Sequence, residues 1–194
     1  MPNFCDNVLW AYGPQSEIDR FLEKAQGCGV AWGDDPAVAV GDSKRRTRPL
    51  DFNQFVPVPA EVAAAGYRDK SGPENQEAVP GGRSWCEENW GTKWNAGPDT
   101  NAVRVSDCEV RFSFDTAWSP PQAVVMAMSK QFPHLMFKLV FSEISAAFTG
   151  TLICHHGVRV LIECQDYELV ECSWDKDDGR PGGTPSVCAS IEDL

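Results

Sequence analysis

The chain reads as an α+β domain, on three observations. Ile18, Phe21, Leu22 and Ala25 recur at i, i+3, i+4 and i+7, the apolar stripe of a helix lying on a sheet. Phe112/Phe114 and Leu135/Phe137/Leu139/Phe141 alternate with polar residues, the period-two pattern of half-buried strands. A second apolar helix pattern separates those two strands, so the order is β-α-β, insertions, then β-α-β-β. Two β-α-β-like halves with short helices predict a split β-α-β, ferredoxin-like antiparallel sheet with two helices on one face and a C-terminal hairpin.

The first strand is "FCDNVLWAYG", with Phe4, Val8, Trp10 and Tyr12 at even spacing before the Gly13-Pro14 stop. The first helix is "SEIDRFLEKAQG". Ser16 is its expected cap, Asp19 answers back, and Gly27 supplies a left-handed end. Residues 28–48 form a Gly-, Asp- and Arg-rich insertion. "LDFNQFVPVP" alternates Phe52, Gln54, Val56 and Val58 and predicts a short edge strand, its prolines unable to donate to a ladder. A second insertion, 60–83, begins with a helical turn in "AEVAAAGYR" and continues as a polar Gly/Pro loop over 69–83.

"ENWGTKWN" follows with no evident helix or strand pattern; Gly91 is expected to turn the chain sharply between Trp90 and Trp94. "DCEVRFSFDTAW" predicts a strand. Ser119-Pro120-Pro121 predicts a capped start to the helix "QAVVMAMSKQF", with Val124, Val125, Met128 and Phe132 inward and Pro133 as its end. "LMFKLVFSE" is the next strand, "TLICHHGVRVLIEC" a hairpin turning at His155-His156-Gly157, and "YELVECSW" a candidate last strand. The expected domain is 1–174, with 175–194 as a flexible acidic tail.

Composition bounds function. The chain has 194 residues, 42% hydrophobic, and a net charge of −11 from 28 acidic and 17 basic side chains. Such a field repels polyphosphate and argues against nucleic acid as the main ligand. The basic run Lys44-Arg45-Arg46-Thr47-Arg48 reads as a solvated loop. No apolar run reaches the ~18 residues of a membrane span, and no secretory n-region is evident, so the expected location is the cytoplasm. Eight cysteines without a C-x-x-C pair predict reduced thiols and no cysteine-bound metal. Phosphate-loop, dinucleotide, zinc-protease and serine-hydrolase motifs are missing, which makes an enzyme the less favoured reading, and no cofactor is expected.

"MPNFCDNVLWAYGP", "LDFNQFVPVP", "ENWGTKWNA", "FSFDTAWSPP" and "QFPHLMFKLVFSE" occur in that order over residues 1–143. Together they resemble the YubB-type ferredoxin-like domain family of small phage and plasmid reading frames. The resemblance implies a mobile-element origin and the split fold, and brings no catalytic residues.

Two functional expectations follow. The first is a non-enzymatic accessory protein that binds a host or phage macromolecule, its acidic surface occupying a basic groove as nucleic acid would. The second is a small-ligand, nucleotide-like binder. There Trp90, Trp94 and Trp118 wall a pocket, Lys93 meets a phosphate or carboxylate, and Asp115 bonds a polar edge. A buried core or lid is the structural alternative for the same indoles. Convergence of Glu87, Glu88, Asp115 and Glu143 into an acid–base or metal pair is a third, weaker expectation. His155 and His156 read as a hairpin tip and His134 as a loop residue.

Overall fold

In the computed structural model, residues 3–34, 47–69 and 81–166 are described. The strands are β1 (Phe4–Tyr12), β2 (Asn101–Ser106), β3 (Glu109–Ala117), β4 (Met136–Glu143), β5 (Phe148–His155) and β6 (Val158–Asp166). The helices are α1 (Gln15–Ala25), α2 (Ala60–Ala65), α3 (Gly82–Trp90) and α4 (Gln122–Gln131). They give a six-stranded sheet in the order β2-β3-β1-β4-β5-β6. Every pairing is antiparallel.

β1 lies between β3 and β4, with Leu9 opposite both Phe112 and Leu139. The β3-α4-β4 unit is therefore split by β1, and the β1-to-β2 unit by β3. This is the expected ferredoxin-like order, extended at β4 by the β5–β6 hairpin.

Alternation decides which face is covered. On β1 the buried side chains are Cys5, Asn7, Leu9 and Ala11; on β4 they are Phe137, Leu139, Phe141 and Glu143. Phe21 of α1 fills the centre. Its ring lies 5.9 Å from Phe112, 5.2 Å from Phe137 and 5.3 Å from Phe132 at the end of α4, centroid to centroid. One side chain thus touches β3, β4 and the end of α4, which puts α1 and α4 on the same face. Burial of a phenyl group of this kind contributes roughly 1.5–3 kcal/mol.

Several local expectations are corrected. Helix α1 starts directly after Pro14, whose carbonyl accepts from Ile18 N–H, and Ser16 does not cap it. Asp19 instead pairs with Arg104 at 2.5 Å. Gly27 is not left-handed. It bridges to Arg48, and a Cβ there would collide with the buried Asp51 carboxylate. Ser119 does not cap α4; its hydroxyl donates to the Gly91 carbonyl.

The stretch predicted as a strand around Phe52 is a 3-10 turn over Phe52–Gln54. Asp51 causes the difference by accepting from Asn53 N–H. Phe52 and Phe55 are then both buried, a spacing no strand permits on one face.

Strand β2 and helix α3 escaped the sequence reading. α3 begins at Gly82, inside the stretch read as a loop, and ends at Gly91 in the left-handed conformation, φ 84°, so the sharp turn is present. The β5–β6 hairpin turns at His156-Gly157 as expected. The proposed strand at "YELVECSW" and the tail lie outside the described residues. Among the described residues no helix is long and apolar enough to cross a membrane.

Candidate functional site

A cavity of about 460 Å³ opens beside the sheet, built from residues within the two insertions, 28–48 and 60–83, and from the stretch that follows the second. Trp32 forms one wall. Its indole lies against the first turn of α3, where a Cβ on Gly82 would fall 2.0 Å from the ring, so glycine is what admits it. The next residue but one, Asp34, accepts from the backbone N–H groups of Tyr67 and Arg68. Tyr67 then meets Trp32 edge-on at 5.4 Å and donates its hydroxyl to the Lys93 carbonyl.

Trp90 and Trp94 line the same cavity. Trp90 is fully buried, donates from Nε1 to the Val56 carbonyl at 2.9 Å, and packs edge-on against Phe52 and Trp85. Trp94 is half-buried and reaches Phe4, 6.5 Å between ring centres. Asp51, buried behind the lining, ties two of the lining residues, Gly29 and Asn95, to the 3-10 turn. Its carboxylate accepts from Gly29 N–H, Asn53 N–H and the Asn95 amide, drawing three chain segments together.

The electrostatics of the cavity are simple. Arg48 is its charged side chain. Arg48 Nη1 donates to the Ala96 carbonyl at 2.8 Å, while Nε is buried without a hydrogen-bond partner. The Tyr67 hydroxyl is pushed up to about 12, first by burial and then by the nearby Cys86. The Cys86 thiol is likewise pushed up to about 12, by burial and then Glu87. Both walls therefore stay neutral at physiological pH. Among the described residues the cavity presents aromatic faces and one cation, a setting for a flat, electron-rich or anionic ligand.

Of the five residues nominated from sequence, two meet here. Trp90 and Trp94 line the cavity; Lys93, Trp118 and Asp115 do not. Lys93 turns away to place Nζ 4.8 Å from the Trp118 ring. Trp118 is 44% exposed and sits at φ 68°. Asp115 is on the face of the sheet away from the helices, across from Asp6. Burial, then the Asp6 and Asp99 carboxylates, hold its carboxyl above the ordinary range.

The carboxylates do not converge either. Glu87 and Glu88 are exposed on α3, whereas Glu143 is buried and accepts from the Ser145 and Ala146 N–H groups of the β4–β5 turn. Among the described residues no group of His, Cys, Asp or Glu is placed to hold a metal ion. Trp32 and Tyr67 were missed by sequence reasoning, and Arg48, read there as part of a solvated basic run, is instead half-buried in the cavity wall. Their only signal was an aromatic or a cation inside a segment too irregular to carry periodicity.

Residues 89–179 match the family described as the ferredoxin-like domain in Api92-like protein. That stretch starts within "ENWGTKWN" and continues beyond the hairpin, further toward the C-terminus than the segments that first suggested a ferredoxin-like family. No curated protein sequence matches this chain. Among solved structures, the chain is similar to the crystal structure of a protein api92 from Yersinia pseudotuberculosis. The TM-score is 0.63 and the identity 10%, covering 88% of this chain and 99% of that one. At that identity the likeness speaks for the fold. Sequence match and shared fold agree on one point: the chain carries a ferredoxin-like domain similar to that of Api92-like proteins.

Proposed function

We propose that the chain is a non-enzymatic binding protein, an accessory of a phage or plasmid acting in the host cytoplasm, whose site takes a small flat ligand. The observation that supports this reading is the convergence of Trp32, Tyr67, Trp90 and Trp94 on one cavity of about 460 Å³. That size is within the roughly 300–1,000 Å³ typical of small-molecule sites. Stacking on indole and phenol faces contributes about 1–3 kcal/mol per ring. The test is intrinsic tryptophan fluorescence titrated with a panel of nucleotides and aromatic acids. Saturable quenching that disappears in Trp94→Ala, with the melting temperature nearly unchanged, is the expected result. A flat response across the panel removes the reading.

A second reading, docking of a basic macromolecule on the acidic surface, has support from the facing pair Asp6 and Asp115, both exposed and, among the described residues, in no ion pair. It expects a basic polypeptide such as polylysine to be retained at low salt and released as salt rises. Asp6→Asn/Asp115→Asn should weaken that retention. Unaltered retention in the double variant would remove this surface from consideration.

A further inference from the structure

We infer that the ligand of the aromatic cavity carries an oxyanion, a carboxylate or phosphate on a flat ring, and that Arg48 is the residue that reads it. The inference rests on the reading of the cavity as a ligand site and adds the chemical class. A guanidinium stays charged at every accessible pH, and a charged group withdrawn from water needs a partner. Arg48 is half-buried. Its hydrogen bond goes from Nη1 to the Ala96 carbonyl, which is neutral.

Among the described residues Arg48 forms no ion pair. Asp51, three residues along, does not serve. Its two oxygens already receive the N–H groups of Gly29 and Asn53 and the Asn95 amide. The edge of the fork left over, Nε–H with Nη2–H, is the edge that grips a carboxylate or phosphate bidentately. Nε on that edge is the buried nitrogen without a partner.

Gly29 sits at φ 73°, and a Cβ there would come 3.9 Å from Arg48 Cζ and 4.0 Å from Nη2. A Cβ at position 29 would thus be in van der Waals contact with the guanidinium, next to the edge an anion has to reach. With neutral Tyr67 and Cys86 beside it, Arg48 has little to compete with for an incoming negative charge. In a protein of net charge −11, such a cation selects its ligand at short range, since the long-range field is repulsive.

The test compares matched ligands by tryptophan fluorescence: AMP against adenosine, and indole-3-acetate against indole-3-acetamide. The anionic member of a pair is expected to bind at least about tenfold more tightly. Which pair shows the preference tells phosphate from carboxylate. Arg48→Gln should abolish the preference. Arg48→Lys, which keeps the charge but loses the fork, should retain only part of it. Circular dichroism checks that both variants are folded. Equal binding of neutral and anionic members overturns the role of Arg48 while leaving the cavity as a ligand site. Absence of quenching by all four compounds overturns the cavity reading itself.

Discussion

The side-chain amide of Asn95 donates to Asp51 Oδ1 at 2.5 Å, and the Asn95 carbonyl oxygen accepts in return from Phe52 N–H and Ala96 N–H. This pair fastens the loop after α3 to the 3-10 turn that follows Arg48. Asp51 is buried, and each of its acceptors is used. Asp51→Ala strands the Gly29 and Asn53 N–H groups and the Asn95 amide, so a loss of about 2–4 kcal/mol is expected in urea denaturation. Asn95→Ala should cost less, about 1–3 kcal/mol. A loss under about 0.5 kcal/mol for Asp51→Ala would mean that this network does not hold the site together.

The regular part of the fold was legible because it obeys a period. The stripe Ile18–Ala25 and the alternation Phe137–Phe141 can each be satisfied by one packing, with Phe21 between them. The cavity was not legible, for a physical reason. Trp32 is held by the absence of a side chain at Gly82, and Tyr67 by the Asp34 carboxylate over thirty residues earlier in sequence. Neither relation leaves a local pattern. The strand expected at Phe52–Val58 failed because the Asp51 side chain offers Asn53 N–H a closer partner than any ladder. β2 was missed because only Ala102 is even half-buried along it, so Asn101–Ser106 shows no apolar alternation.

Trp90 has a structural role apart from lining the cavity. It is 1% exposed, and its indole N–H is satisfied by Val56 carbonyl. Trp90→Ala is expected to cost about 3–5 kcal/mol through the void it leaves. Trp94→Ala, at a half-buried position, should cost less than about 1.5 kcal/mol. Chemical denaturation of the two variants checks this order. Equal losses would mean that Trp94 is core as well and that the cavity wall is not separable from the fold.

Trp118 adopts φ 68°, a left-handed conformation that costs a side chain of this kind roughly 1–2 kcal/mol. Its ring, 44% exposed, makes a cation–π contact with Lys93, about 0.5–1 kcal/mol at such a site. Trp118→Asn, which tolerates this backbone, is therefore expected to melt at or slightly above the wild-type temperature. A destabilisation beyond about 2 kcal/mol would show that packing of the indole, rather than the turn, fixes this position.

Asp115 predicts a pH dependence of definite sign. Burial first, then Asp6 and Asp99, raise its carboxyl above the ordinary value of 3.8. The native state thus holds this proton more tightly than the unfolded chain. Stability from this site is fully present below pH 3.8 and is lost as pH rises through the native value. Asp115→Asn should accordingly raise the melting temperature at pH 7, by an amount within about 1 kcal/mol, and should make little difference at pH 3. A variant less stable than wild type at pH 7 would contradict the repulsion between Asp6 and Asp115.

Among the described residues the thiols divide into two classes that labelling can read directly. Cys28, Cys108 and Cys164 are exposed and unpaired; Cys5, Cys86 and Cys154 are buried and unpaired. Burial raises Cys5 and Cys86 to about 12 and Cys154 to about 11. Iodoacetamide reacts with the thiolate, so of these six thiols Cys28, Cys108 and Cys164 should be modified in the native protein at pH 8 while the buried three wait for unfolding. The same shifts make the fold sensitive to alkali. Below the unfolded value of 9.0 the protonated thiols favour the native state in full. As pH climbs from 9.0 toward 12 the unfolded chain gives up protons that the native chain keeps, and stability falls by up to about 1.4 kcal/mol per pH unit for each such group. Peptide mapping by mass spectrometry checks the first expectation and melting curves from pH 8 to 10.5 the second. Native-state labelling of Cys86 as fast as Cys164 would mean that the wall between cavity and core opens readily, and a melting temperature flat across that pH range would mean that the buried thiols are not held protonated.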